Sequence, residues 1–449
     1  MSTQLALLAI MLGIAFTVPA AAQQEAFRLT DALQLSEGYS LALTHRSRFE
    51  NIVDNVQPGT SKNDQLLAQR TLLDFRFQGE RFTSQLELAD MRQSMADNDS
   101  VISTATVNSA DILQANFGIR FGSENRHWLR LGRFTEDWGS RRLMARLRFR
   151  NTINSWDGLV WHQNLGNGGQ IRAMATQVVQ QRPSDRQSLL DNSHQSDRSF
   201  NAQRFYGLHA DLPELITNWR SEVFLFLLRE KDTADLQTAN RRLNTAGFRL
   251  QSPRQHGQWD LEIETILQQG HRRSSSSPAD HIDLRHQGFF QYLGLGYSFD
   301  NPLNLRLQLE FDYASGDSDP LDSESGRFDS LFGPTTFEFG VVGLYNPFNR
   351  SNLISPALRL SADLSPSVDI LAIYRHFWLA QARDSWGRTG LRDITGESGD
   401  YLGQHLELRL RWDVVPGNVA MESGAIFLAA ENLSNNNSEY FYTGITLTF

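Results

Sequence analysis

The 449-residue chain contains no cysteine, so it can have no disulfides, thiolate nucleophiles or cysteine metal sites. Past residue 18, no stretch approaches the roughly 18 consecutive apolar residues of a membrane-spanning helix. Lysine is nearly absent. It occurs only at Lys62 and Lys231, so almost every one of the 42 basic side chains is an arginine. A net charge of -9 argues against a general nucleic-acid binder. The usual catalytic signatures are also missing. There is no H-E-x-x-H and no P-loop, and the Gly-Glu-Ser-Gly run at 396–399 misses the nucleophile-elbow spacing. Gly294-Leu295-Gly296 lacks the third glycine of a dinucleotide fingerprint. No enzyme activity and no cofactor are expected from these absences.

Residues 5–18 form an uncharged apolar run followed by Pro19, Ala20, Ala21 and Ala22. This is the pattern of a secretory signal, with cleavage expected after Ala22. The expected division is a signal peptide over 1–22 and one domain over 23–449. A mean hydropathy of -0.40 excludes a helical membrane protein, but not a barrel whose strands alternate lipid-facing and lumen-facing residues.

Alternation recurs along the whole mature chain. Leu303, Leu305, Leu307, Leu309, Phe311 and Tyr313 share one face of a strand, and Asn304, Arg306, Gln308, Glu310 and Asp312 share the other. Leu406, Leu408, Leu410 and Trp412 likewise oppose Glu407, Arg409, Arg411 and Asp413. About eighteen such segments can be counted, the weakest centred on Ala173, Arg249 and Gly424. The connections alternate between short (near Gly79, 164–169, 300–302, 365–366, 415–417) and long (93–108, 134–155, 181–201, 268–286, 315–352, 380–401). That alternation predicts an all-β, antiparallel transmembrane barrel of about eighteen strands, with short periplasmic turns and long extracellular loops. In the last eleven residues, Phe441, Ile445, Leu447 and Phe449 fall on one parity, and Tyr442, Thr446 and Thr448 on the other. The segment resembles the closing strand of bacterial outer-membrane barrels.

Barrels of this size are too wide for side chains to fill, so an aqueous lumen is expected. Parity places Arg130, Arg306, Arg359, Arg409 and Arg411 in that lumen, with Glu310 and Asp312 on the same faces. Two readings stay open for these groups: cross-strand ion pairs, or a charge ladder for an anionic solute. Arg133 shares parity with lipid-facing Leu131, so it must either turn inward at a bulge or strand end, or snorkel. Arg141, Arg142, Arg146, Arg148 and Arg150 crowd one long loop, where they could attract polyanions at the extracellular mouth, bind lipopolysaccharide phosphates, or simply be solvated. The long loop 315–352 is the expected constriction or lid. Its acidic run, Asp317, Asp319 and Asp322, offers oxygen ligands for calcium, though without EF-hand spacing.

Leu131-Gly132-Arg133, Trp138-Gly139-Ser140-Arg141-Arg142-Leu143, Arg150-Asn151 and Trp156-Asp157-Gly158 form a block that resembles one in the alginate-export family of outer-membrane proteins. Phe134 and Trp138 stand where that pattern has Gln and Tyr. Tyr313-Ala314-Ser315-Gly316-Asp317 with Phe328-Asp329-Ser330-Leu331-Phe332 resembles a second block. Arg375-His376-Phe377-Trp378-Leu379, Asp384-Ser385-Trp386 and Leu402-Gly403-Gln404-His405-Leu406-Glu407 resemble a third. The resemblance implies an eighteen-stranded porin with an arginine-rich lumen that passes anionic polysaccharide. The expected location is the bacterial outer membrane. Expected partners are membrane lipid and lipopolysaccharide, an anionic oligo- or polysaccharide, the barrel assembly machinery through the strand ending at Phe449, and periplasmic export partners. A general diffusion porin, or a barrel enzyme or surface-binding barrel without an open pore, is the alternative.

Overall fold

In the computed structural model, which describes residues 25–335 and 338–449, each alternating segment becomes a strand of one closed wall. The expected secretory segment over 1–22 lies outside the described residues. The wall strands are β1 Tyr39–Val53, β2 Asp64–Gln78, β3 Phe82–Ser94, β4 Asn108–Phe121, β5 His127–Phe134 and β6 Trp156–Asn164. They continue as β7 Gln170–Gln180, β8 Arg198–Ile216, β9 Trp219–Glu230, β10 Arg242–Gln251, β11 Gln258–Arg272 and β12 Leu284–Ser298. The last six are β13 Arg306–Ala314, β14 Leu353–Ser365, β15 Val368–Trp378, β16 Tyr401–Val415, β17 Val419–Ala430 and β18 Asn437–Thr448. A two-residue piece, Glu324–Ser325, runs parallel to β12 inside a long connection.

Each strand pairs antiparallel with its neighbours in sequence, and β18 closes on β1 from Thr44↔Thr448 to Val53↔Glu439. Leu43 N and Phe449 N each donate to the other's carbonyl, at 3.1 and 2.9 Å, so the seam is hydrogen-bonded to its last residue. Closure leaves no free edge, which a bilayer requires because it has no water to satisfy one. The long connections follow β3, β5, β7, β11, β13 and β15, as the loop pattern predicts.

The outer face is apolar. Leu131, Trp259, Leu267 and Leu309 are among its most exposed side chains, at 59, 64, 61 and 55 %. In a bilayer these meet lipid, which accounts for a band that a soluble protein would not tolerate. Aromatic clusters mark both ends of the wall: Tyr39 with Phe75 and Phe77 at the turn side, and Tyr374, His376, Trp378 and Tyr401 at the loop side. Such girdles sit at the two membrane interfaces.

The core lies inside the barrel, in its extracellular half. Phe205, Phe226, Leu228, Leu243, Ile266 and Phe290 point inward from the wall and are buried against Trp138, Leu143, Met144, Phe328, Phe339 and Phe348 of the loops. These wall segments are apolar on both faces, because one face meets lipid and the other meets loop. This weakens the alternation at β17, whereas at β10 it is weakened by Arg242 and Asn244 on the outer face and buried Leu243 on the inner one. At Gly424 of β17, an added Cβ would lie 2.4 Å from the Tyr442 ring, so the inward face there is filled by a neighbouring strand.

Candidate functional site in the barrel lumen

Two connections enter the lumen, residues 135–155 and 315–352, and one arginine joins them. Arg142 donates from Nε to Glu338 at 2.9 Å, and from Nη1 to Glu262 at 2.9 Å and Glu264 at 2.5 Å. Its guanidinium lies 3.7 Å from the centre of the Tyr292 ring. Glu262, Glu264 and Tyr292 belong to the wall, whereas Glu338 belongs to the second loop. Burial by itself would lower the Arg142 pKa, but the three carboxylates outweigh it and hold the pKa well above the usual arginine value. Arg350 donates to the other side of Glu338 and to Pro334 O. Phe332 N donates to Leu143 O at 2.9 Å, so the loops also meet through backbone. The sequence alone leaves Arg142 open between the lumen and the extracellular mouth. In the structure it is buried in the lumen, held there by ion pairs to residues far away in the chain.

The rest of that arginine cluster also runs inside. Arg146 pairs with Glu87 of β3 at 2.5 Å, and Arg48 and Arg70 of the wall donate to Phe149 O and Arg150 O. Burial, with Arg388 nearby, lowers Arg150 to about 9. Arg148 remains 76 % exposed, with Asp137 at 3.5 Å. Arg141 lines the same space.

The wall residues expected in the lumen do face inward, and most of them have partners. Arg130 pairs with Glu136, Arg306 with Asp260, and Arg359 with Glu310 at 2.6 Å. Arg375 pairs with both Glu310 and Asp312, the latter at 2.8 Å. Arg411 pairs with Glu422 at 2.6 Å. Arg409 differs: its buried Nε has no hydrogen-bond partner, and no carboxylate pairs with it among the described residues. Arg46 and Arg70 share this state, donating only to Arg148 O, Asn151 Oδ1 and Arg150 O. Sequence reading did not single out Arg46, Arg48, Arg70 or Tyr292, and it noted Arg375 only as part of a family-resembling block. The inward row Arg46, Arg48 and Glu50 was visible as alternation, but His45, Ser47 and Asn51 on the opposite face obscured it.

Arg133 stays on the outer face at the strand end. It forms a fork on Asp157 of β6 at 2.8 and 3.0 Å, with no register shift between β4 and β5. Its neighbour Gly132 has φ +122°, and a Cβ there would meet Ala115 O at 2.3 Å. The acidic run does not converge. Asp317 N donates to Asp384, Asp319 sits 3.4 Å from Arg383, and Asp322 caps Glu324 N at 2.7 Å. Among the described residues, no group of three or more acidic or histidine side chains is placed to hold a metal ion.

Below the two loops lies a chamber of about 680 Å³. Twelve arginines and five carboxylates line it, and the unpaired Arg46, Arg70 and Arg409 are among the twelve. Nearer the periplasmic turns, a hollow of about 630 Å³ is lined by Asp363, Asp369, Asp413 and Glu422, with Arg411 as its one cation.

No curated protein matches the chain. Among solved structures, OccK2 (OpdF) of Pseudomonas aeruginosa superposes with a TM-score of 0.61 at 13 % identity, covering 92 % of this chain and 98 % of that one. The same protein in complex with glucuronate gives 0.59 at 13 % identity, with 92 and 98 % covered. Acinetobacter baumannii OccAB3 gives 0.59 at 12 % identity, with 92 and 99 % covered. These similarities establish the porin fold. A model of the alginate export family matches residues 38–440, which is nearly the whole wall. The chain is an outer-membrane β-barrel belonging to the alginate export family.

Proposed function

We propose that the chain is an outer-membrane channel for anionic saccharides or other small organic anions, which it binds through lumen arginines. The central chamber carries the argument. Its arginines outnumber its carboxylates by twelve to five, and Arg46, Arg70 and Arg409 have no ion-pair partner among the described residues. A guanidinium held without a carboxylate keeps its charge uncompensated, and uronates present a carboxylate on every residue. Permeation needs sites that are attractive yet weak and repeated, and a row of such groups supplies that. The glucuronate complex of OccK2 is in keeping with this chemistry. Insertion through the strand ending at Phe449 and coupling to periplasmic export partners belong to the same reading.

The test is a planar bilayer. Purified protein should open anion-selective channels whose conductance falls when uronate oligomers are added. Arg46→Ala, Arg70→Ala and Arg409→Ala should each weaken the block and shift the reversal potential toward cations, more at low salt than at high. If the channels pass neutral sugars equally well and ignore uronates, the protein is a general diffusion porin.

A further inference from the structure

The outer face carries a second arginine array. Arg204 of β8 is the register partner of Arg229 of β9, which is the partner of Arg242 of β10. The row continues to His271 of β11 and Arg285 of β12. All five lie at the extracellular ends of their strands. They share outward parity with Leu208, Leu225, Phe248, Leu267 and Leu293, which are 39–61 % exposed to the surroundings of the barrel.

Like charges directly opposite across strands repel, so such a row needs a counter-charge. The chain supplies only part of it. Asp283 pairs with Arg242 at 2.5 Å and lies 3.3 Å from His271, and Glu324 lies 3.6 Å from Arg285. Arg229 donates only to Leu228 O, Leu243 O and Asn244 Oδ1, and Arg204 only to Asn201 Oδ1 at 3.5 Å. Neither has an acidic partner among the described residues. Lys231, one of two lysines in the chain, is exposed two residues beyond Arg229.

We propose that this row binds the phosphate groups of a phosphorylated, multiply acylated glycolipid of the outer leaflet, the chemistry of lipopolysaccharide. Neighbouring strands are about 4.8 Å apart, so two guanidinium groups can grip one phosphate with paired N–H donors. The polar band of Asn244, Gln269 and Gln287 sits next below, at headgroup depth, and the exposed leucines and Phe248 below that meet acyl chains. The vertical order of phosphate, sugar and acyl chain matches the order of cation, amide and apolar side chain on the wall. The site is independent of which solute passes through the lumen.

The test is a titration of folded protein in neutral detergent with diphosphorylated lipid A, and with the same lipid after its phosphates are removed. Wild-type protein should bind the phosphorylated form roughly a hundred-fold more tightly, at about five-fold per cation engaged. The triple variant Arg204→Gln/Arg229→Gln/Arg242→Gln should lose that preference, while Arg81→Gln on a periplasmic turn should keep it. Millimolar inorganic pyrophosphate should not displace the lipid. Equal binding of both lipids by wild-type protein, a comparison that needs no variant, would overturn the proposal. So would an unchanged preference in a triple variant that keeps its heat-modifiable fold. Pyrophosphate binding as tightly as the phosphorylated lipid would make this a free-phosphate site and would overturn the lipid reading.

Discussion

Replacing Arg142 with alanine should release the inserted loops while leaving the wall intact. The side chain is 6 % exposed and holds Glu262, Glu264 and Glu338 together, so its loss leaves three buried carboxylates without their shared cation. Removing one partner of a buried ion pair costs about 3–5 kcal/mol. Because Glu338 and Arg142 lie on different loops and Glu262 and Glu264 on the wall, the cost falls on docking rather than on strand pairing. It corresponds to roughly a 10²- to 10⁴-fold shift toward undocked loops. The expected result is a heat-modifiable barrel at normal yield, with larger, noisier conductance and faster proteolysis within 135–155 and 315–352. Arg142→Lys should behave more like alanine than like wild type, since an ammonium cannot span three partners in one plane. A cycle with Glu338→Ala should be strongly non-additive, because the two changes remove the same contact. Unchanged conductance and unchanged proteolysis in Arg142→Ala would refute this account of how the loops are held.

Two further outcomes follow from groups at the ends of the barrel. Charges on the closing strand should cost more the deeper they sit: about 1–2 kcal/mol for Ile445→Asp and under about 1 kcal/mol for Leu447→Asp near the periplasmic interface, read as yield of the heat-modifiable form. Equal yields would count against lipid facing these positions. In the extracellular loop ahead of β8, burial, together with Asp111 nearby, pushes Asp197 up to about 7. Its folded pKa is therefore raised, so the folded loop keeps a proton that the open loop releases. Loop stability should fall as pH rises from about 4 to about 7, then level off. Proteolysis within 181–197 should accelerate across that window, and Asp197→Asn should flatten the response.

How legible each part was in the sequence depended on the range of the interaction behind it. The wall was legible because alternation is local. Each of the eighteen expected segments, including the weak ones at Ala173, Arg249 and Gly424, lies within a strand. The inward path of the loops was not legible. Arg142 reaches Glu262 across 120 residues and Glu338 across 196, and no periodicity encodes such pairs. Arg133 shows the same limit on a smaller scale: its parity was clear, but Asp157 on the next strand, which keeps it on the outer face, becomes a partner only once the register is fixed. Arg306 and Arg411 sat on the best-patterned strands, yet both are taken up by carboxylates, Asp260 and Glu422. Parity tells which way a side chain points, not whether it is free when it arrives.

The same distinction bears on permeation. A lumen lined only with unpaired arginines would trap a polyanion, because every step would be attractive. Here the central chamber has twelve arginines to five carboxylates, and of the two hollows nearer the periplasm one has four carboxylates to one arginine while the other, beside Arg76, Arg120, Arg130 and Arg146, has four arginines to two carboxylates. An anion leaving the chamber through the acidic hollow thus meets a repulsive step, and one leaving toward the loops meets their docked network. The two barriers differ in kind. The carboxylate step is set by fixed wall charges and weakens with salt. The loop step is set by a buried network centred on Arg142, which salt screens far less. Single-channel records taken across ionic strength therefore separate them: a barrier that fades with salt belongs to Asp363, Asp369, Asp413 and Glu422, and one that persists belongs to the loops.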